Sequence, residues 1–366
     1  MGRILTMRDV EAALRGGAVF AAGGGGWSAH GRMLGTAAVS AGAPELVSID
    51  EVPDDAWVAT AAAIGAPGDS TAWQMLGVDY VKSVQLLQRE LGEPIHALMI
   101  GQNGKSSTMN GWLPAAVLGL KVLDAVGDIR AHPTGDMGSI GLANSPAPTI
   151  QTAVGGNRAH NAYIELCVRG PTAKVSPVLR TAADMAGGFI ASCRNPVRAA
   201  YVRTHAALGG ISMALALGEA IVQAEPRGAR AVIDAICEAT GGAIIASGAV
   251  SAKSVAYTRE AFDVGTISVG RGAQGCVLHL MNEYMAVQAP DGTRMATYPD
   301  VIATLDEAGV PVSAGHVREG QMLHVLRVAK ERLPLSASVT DPSVYPVVEK
   351  ALGIAIADYA LGVAAP

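Results

Sequence analysis

Residues 99 to 160 read MIGQNGKSSTMNGWLPAAVLGLKVLDAVGDIRAHPTGDMGSIGLANSPAPTIQTAVGGNRAH. The apolar run His96 to Ile100 breaks into the loop Gly101-Gln102-Asn103-Gly104-Lys105-Ser106-Ser107. A helix that Asn110 can cap then runs to Leu120, with Pro114 tolerable in its first turn. Val122 to Ala125 is a second apolar run, and the loop after it carries Asp128, Arg130, His132 and Asp136. Strand, helix, strand with uninterrupted apolar strands is the pattern of a sheet covered on both faces. Ligands in such sheets gather beyond the carboxyl ends of the strands, so both loops fall where a site is expected.

Working toward the N-terminus, Val78 to Leu91 shows apolar residues at helical spacing, and Gly92 and Pro94 stop it. Glu45 to Ile49 and Trp57 to Ala63 read as strands, the second closed by Gly65-Ala66-Pro67-Gly68-Asp69. Thr6 with Asp9 three residues on predicts a capped first helix that Gly16 and Gly17 end. Ala18 to Ala22 then reads as a short strand. It runs into Gly23-Gly24-Gly25-Gly26-Trp27-Ser28-Ala29-His30, whose free backbone N–H groups could face an anion or a carbonyl before a helix begins near His30. The spacing matches neither a Walker loop nor a dinucleotide fingerprint.

Toward the C-terminus, Ser145 to Pro148 is a rigid break, Gly155-Gly156-Asn157 a turn and Ala162 to Val168 a strand. Asn195-Pro196 reads as the start of a helix to Leu208, and Gly228 to Thr240 as another. From Ala243 to His324 short strands dominate: IIASGAV, KSVAYT, GTISVG, GCVLHL, EYMAVQA, TRMAT, VPVSA and QMLHVLRVA. They point to a small barrel or sandwich, with Asp291-Gly292 as a hairpin turn. Asp341 to Leu352 reads as a closing helix. The expected division is an α/β domain over residues 1–165 carrying the glycine-rich loops, then a mixed region over 166–366 with the β-rich part.

Composition narrows the function. A net charge of −5 with 27 evenly spread Lys and Arg gives no nucleic-acid footprint. Mean hydropathy is +0.30, yet no long uncharged apolar run appears, so a membrane span is not expected. Cys167, Cys193, Cys237 and Cys276 share no CxxC spacing and read as reduced cysteines in a cytoplasmic protein. The high apolar content suggests a homo-oligomer.

The residues able to do chemistry lie mostly in the central loops. His132 and Asp136 could act as a base pair or as metal ligands, with His30, His160 or His205 completing a shell for a divalent ion such as zinc. Gln102 and Asn103 could stabilise an oxyanion, with Asp128 as a further catalytic candidate. Gly24, Gly25, Gly26, Asn110, Arg130, Asn157 and Arg158 are candidates for holding a cofactor or ligand, a carboxylate-bearing one suiting the arginines. The bland alternatives are helix caps, backbone ties and solvated lysines.

The tetraglycine run, IGAPG at Ile64 to Gly68, PAAVLGLKVLDAVGDIRAHPT from Pro114, FDVGTISV from Phe262 and TYPDVIATLDEAGVPVSAGHVREGQMLHVLRV from Thr297 together resemble the S-methyl thiohydantoin desulfurase-like family over nearly the whole chain. The resemblance implies an N-terminal three-layer α/β domain and a second β-rich, barrel-like domain. It also implies hydrolytic chemistry on a small cyclic amide or thioamide, a hydantoin or thiohydantoin-like ring, with sulfur removed at C2 in some members. The chain departs from the family pattern by lacking an acidic residue in the 101–104 loop and an Asp at Val126. It also has Asp128-Ile129, His132 and Thr134 where the pattern has Met-Gly, Phe and Glu. These departures imply a divergent member, and a non-catalytic binding or accessory protein is the alternative they allow.

Overall fold

The computed structural model describes residues 2–65, 73–258 and 262–363, so most of the turn read after Gly65 lies outside the described residues. The capping box at Thr6 is present, with the Thr6 N–H donating to Asp9 Oδ2 at 2.8 Å. The helix it opens, Met7–Phe20, runs straight through Gly16 and Gly17. The expected strand at Ala18 to Ala22 is therefore helix and turn. Packing decides this: a Cβ on Gly16 would lie 1.8 Å from Ala214 O, and one on Gly218 the same distance from Ala12 O. The glycines let this helix and Gly210–Ala224 cross at backbone contact, which favours continuing the helix over breaking it.

Among the described residues, nine strands form the first sheet. Its parallel centre runs in the order Glu45–Val47, Lys121–Asp128, Ile95–Gln102, Trp57–Gly65. Apolar side chains alternate across it: Leu98 and Ile100 join a core under the helices Met7–Phe20 and Gly77–Leu91, while Ala97 and Met99 join one under Ala199–His205. Helices on both faces make the three layers. Beside Trp57–Gly65 the sheet continues antiparallel through Phe189–Arg198, Thr149–Gly155 and Ile164–Gly170. Residue 165 thus falls inside a paired strand, and the sheet takes strands from both sides of it.

Phe189–Arg198 corrects a second expectation. Asn195-Pro196 does not begin a helix; it lies within this strand, and the helix Ala199–His205 starts only afterwards. Proline lacks the ladder N–H, and the register skips there, with Val58 opposite Val197 and Thr60 opposite Arg194. A bulge holding Asn195, at φ 52°, absorbs the missing donor. Similarly, the helix expected after Asn110 is Trp112–Leu118 with Gly111 at its cap.

The second domain is a curled antiparallel sheet, a half-barrel, with seven strands among the described residues. Two of the short strands read from sequence, IIASGAV and KSVAYT, are one long strand, Ala243–Tyr257, which pairs with Met322–Val328 at its start and Asp263–Val269 at its end. The curl brings Glu283–Gln288 near Val301–Leu305, where Tyr284 Oη and Thr304 Oγ1 are 3.2 Å apart. VPVSA is loop rather than strand, and Val301–Leu305 takes its place in the sheet. The hairpin at Asp291-Gly292 joins Glu283–Gln288 to Arg294–Thr297. The closing helix is shorter than expected, Pro346–Leu352.

Polar ties lock the domains together. Tyr298 Oη donates to Asp128 Oδ2 at 2.6 Å, and Arg130 Nη1 donates to Asp300 O at 2.9 Å.

Candidate active site

The tetraglycine run is where the two domains meet. It leaves the helix Met7–Phe20 through Ala22, φ 48°, and Gly23, Gly25 and Gly26 follow at φ 90°, 73° and 82°, a left-handed path that glycine follows without strain. Its residues touch elements of both domains. Ala314 N–H donates to Gly23 O at 2.9 Å, and Ser106 N–H to Gly25 O at 3.1 Å. A Cβ at 24 would sit 2.1 Å from Glu283 Oε1, and one at 26 would sit 1.9 Å from Ser106 Oγ.

A cleft of about 520 Å³ opens over this run. Trp27 and Trp73 stack at 4.5 Å, and the Phe189 ring stands edge-on to both, giving the cleft a flat aromatic wall. Glu283, Ser313 and Lys253 also line it. A recess of about 80 Å³ continues inward, sharing Gly25, Gly26, Phe189 and Glu283 with the cleft and adding Gln102, His132, Arg180 and Arg194.

The electrostatics of this recess are unusual. Burial pushes the Glu283 carboxyl up to about 8, against the opposing pull of Arg130, Arg180 and the Gly25 N–H. Its Oε2 has no hydrogen-bond partner among the described residues. Arg194 is 5% exposed and its Nε has no partner either; burial lowers its pKa, while Asp136 pulls it back up. Arg180 donates to Pro133 O at 2.7 Å and lies over the Phe262 ring. A carboxyl group kept protonated beside two guanidinium groups can deliver a proton while the arginines stabilise developing negative charge.

The residues read from sequence divide sharply. Gly24, Gly25 and Gly26 line the cleft, while Gln102 and His132 line the recess. Gln102 Oε1 accepts the His132 N–H at 3.0 Å, leaving the amide nitrogen as its donor. His132 is clamped, with Nδ1 2.8 Å from Thr134 O and Nε2 3.3 Å from Gly101 O, and burial lowers its pKa to about 4. Asp136 lies beyond the Thr134-Gly135 strap, lining a separate cavity with Ser176, Arg180, Phe262 and Val347. Burial raises its pKa, opposed by a hydrogen bond from Ser176, and no hydrogen bond joins it to His132 among the described residues. With both imidazole nitrogens against carbonyl oxygens, the pair does not fit a metal. Among the described residues no group of three or more His, Cys, Asp or Glu side chains could hold one.

The remaining candidates hold the fold. Asn103 Nδ2 donates to Ile129 O and Gly210 O, and its Oδ1 accepts from Thr108. Asp128 and Arg130 are the interdomain ties, with burial raising Asp128 to about 6. With its amide turned to suit its neighbours, Asn110 bridges Ser106 O and Ala63 N–H at 3.3 Å each. Asn157 caps a turn, and Arg158 pairs with buried Asp79 at 2.5 Å. His30 faces Tyr80 Oη at 3.1 Å and His205 stacks on Tyr201, so neither joins the recess. His160 sits in the turn that Asn157 caps. Cys193 is buried in the sheet, where burial raises its thiol pKa.

Sequence reading missed Glu283, Arg180, Arg194 and Ser313. The usable signal was Glu283, a carboxylate opening the strand EYMAVQ, whose middle residues Met285, Ala286 and Val287 are apolar.

The model of the S-Me-THD-like N-terminal domain matches residues 8–161, and that of the C-terminal domain matches residues 171–337. A crystal structure of a protein from Chromobacterium violaceum shares the fold with a TM-score of 0.72 and 24% identity, over 96% of each chain. No curated protein matches.

Proposed function

We propose, from the premise that this chain belongs to the S-Me-THD-like family, that it is a hydrolase acting at the C2 carbon of a small hydantoin or thiohydantoin-like ring. Membership gives a hydantoin- or thiohydantoin-related function in general; the hydrolytic step is our reading of the cleft. The observation that carries it is the Glu283 carboxyl, buried against the charges of Arg130 and Arg180 at the junction of the cleft and the recess that Arg194 also lines. A flat ring stacks on the wall of Trp27, Trp73 and Phe189, where aromatic contact is favourable.

Addition of a nucleophile to C2 puts negative charge on the ring. The guanidinium groups of Arg180 and Arg194 and the amide of Gln102 lie where that charge is stabilised by preorganised donors. With a pKa of about 8, the Glu283 carboxyl holds its proton at neutral pH and gives it to the departing sulfur or nitrogen. The reaction needs water and no redox partner.

The test is a panel of hydantoins, thiohydantoins and their S-methyl derivatives, with free thiol and ammonia measured for wild type and Glu283→Gln. We expect turnover by wild type and a loss of about 100-fold or more in the variant. Saturable binding with no turnover of any ring would replace this reading with that of an accessory binding protein.

A further inference from the structure

Lys105 and Ser313 reach each other across the domain junction, with Nζ 2.6 Å from Oγ. Lys105 comes from the loop after Ile95–Gln102 and is 9% exposed. Ser313 comes from the half-barrel, at the start of the turn Ala314–His316, and lines the cleft together with Glu283. The tetraglycine run holds the whole group in register. Ala314, next to Ser313, is bonded to Gly23; Glu283 rests on Gly24; Ser106, next to Lys105, is bonded to Gly25.

A lysine whose only task is to tie two domains is best served by a carboxylate. No carboxylate pairs with Lys105 among the described residues, and its partner is a hydroxyl facing the cleft. Burial brings the amine down to about 8, so a substantial neutral fraction is present at mildly alkaline pH. A neutral amine at 2.6 Å from a serine hydroxyl is the geometry of an activated nucleophile.

We infer that Ser313 is the nucleophile of this protein and Lys105 its base, so that ring hydrolysis passes through a covalent adduct of C2 on Ser313 Oγ, an isourea where sulfur leaves and a carbamate where nitrogen leaves. This rests on the ring-hydrolase reading and supplies its missing nucleophile. In the first half, Ser313 Oγ adds to C2 and its proton moves to Lys105 Nζ. The bond from C2 to the leaving sulfur or nitrogen then breaks, the electron pair departs with that atom, and Glu283 protonates it. In the second half, water adds to C2 as the Glu283 carboxylate takes its proton, the C2–Oγ bond breaks, and the Lys105 ammonium returns a proton to Ser313. The sum is the addition of water, with every protein group restored.

Two measurements test it. Intact protein is treated with phenylmethanesulfonyl fluoride and mapped by mass spectrometry, using wild type, Ser313→Ala, Ser313→Cys and Lys105→Met; ring turnover is followed in the same set. We expect sulfonylation of Ser313 in wild type and none at that position in Ser313→Ala. Labelling should slow at least about 10-fold in Lys105→Met, and Ser313→Ala should lose about 100-fold or more of turnover. Exogenous methylamine should restore part of the activity of a further variant, Lys105→Ala, which a structural tie would not permit. Ser313→Cys serves as the folded control, keeping a nucleophile of similar size that iodoacetamide can trap.

Unlabelled Ser313, or Ser313→Ala turning over within about threefold of wild type, would overturn the inference. Labelling of Ser313 without turnover of any ring would keep the nucleophile and discard the ring. Turnover that survives Ser313→Ala would keep the ring and discard the nucleophile.

Discussion

Glu283 occupies the space where a side chain on Gly24 would begin, its Oε1 lying 2.1 Å from the position of a Cβ there. Gly24 is not among the left-handed glycines, so alanine is permitted by its backbone, and the clash with the carboxyl is the whole consequence. Gly24→Ala is therefore expected to displace Glu283 rather than undo the turn. The loss of stability should be about 1–3 kcal/mol, typical of one extra methyl in a packed site. Turnover should fall at least about 10-fold, because the proton donor is misplaced. Gly25→Ala is the contrast: φ is 73° and its Cβ would meet Gly104 Cα at 2.7 Å, so folding itself should suffer more. Chemical denaturation and turnover measured on both variants separate the two effects.

The cleft predicts a narrow pH optimum. Lys105, lowered from 10.5 to about 8, must lose its proton to act, while Glu283, raised from 4.5 to about 8, must keep its own. The profile of kcat/KM should be a bell centred near pH 8, with Lys105 setting the rising limb and Glu283 the falling one. Glu283→Gln should lose the falling limb. Stability follows the same groups with opposite signs. The folded protein holds the Glu283 proton more tightly than the unfolded chain, so wild type loses stability relative to Glu283→Gln as the pH rises from 4.5 through about 8. It holds the Lys105 proton less tightly, so relative to Lys105→Met wild type gains stability between about 8 and 10.5. An optimum below pH 6 would contradict both assignments.

The seam between the domains carries its own titration. Burial raises Asp128 from 3.8 to about 6, and the hydrogen bond from Tyr298 opposes that rise. Tyr298→Phe removes the donor and leaves a buried carboxylate poorly supported, at a cost of about 1–3 kcal/mol. An acid whose folded pKa is raised loses stability as the pH climbs from its unfolded value through its folded one, and the variant extends that loss to higher pH. The gap in Tm between wild type and variant should be small at pH 5 and widen above pH 6. A gap that is constant with pH would mean that Asp128 is not the group responsible.

Local signals in the sequence were read well where a local rule governs the outcome. Thr6 with Asp9 made a capping box, Gly92 ended a helix, and Asp291-Gly292 turned a hairpin. The family resemblance and both domain types were legible because they rest on patterns spread along the chain. Readings failed where a distant partner decides. Gly16-Gly17 look like a helix stop until the backbones of Ala214 and Gly104 are found against them, and Asn195-Pro196 look like a helix start until the strand Trp57–Gly65 is found paired with the residues on either side of them, Arg194 and Val197. The site suffered in the same way. His132 lines the recess together with Gly25 and Gly26, but Asp136, four residues later, turns to another cavity. Glu283 and Ser313 arrive from a different domain, and nothing within a sequence window links them to residue 25.

Arg194 offers the sharpest separation of function from fold. It is 5% exposed, its Nε has no partner among the described residues, and burial lowers its pKa by more than Asp136 raises it, so on balance the charged guanidinium costs stability. Arg194→Met keeps most of the volume and removes the charge. Its Tm should be equal to or above that of wild type. Turnover should drop by about 100-fold, the usual effect of deleting one donor to a developing anion. Asp136 loses a favourable charge in the variant, so its carboxyl becomes easier to protonate, and any stability gain should be larger at pH 5 than at pH 8. A fall in Tm together with activity would make Arg194 a structural strut and take it out of the recess chemistry.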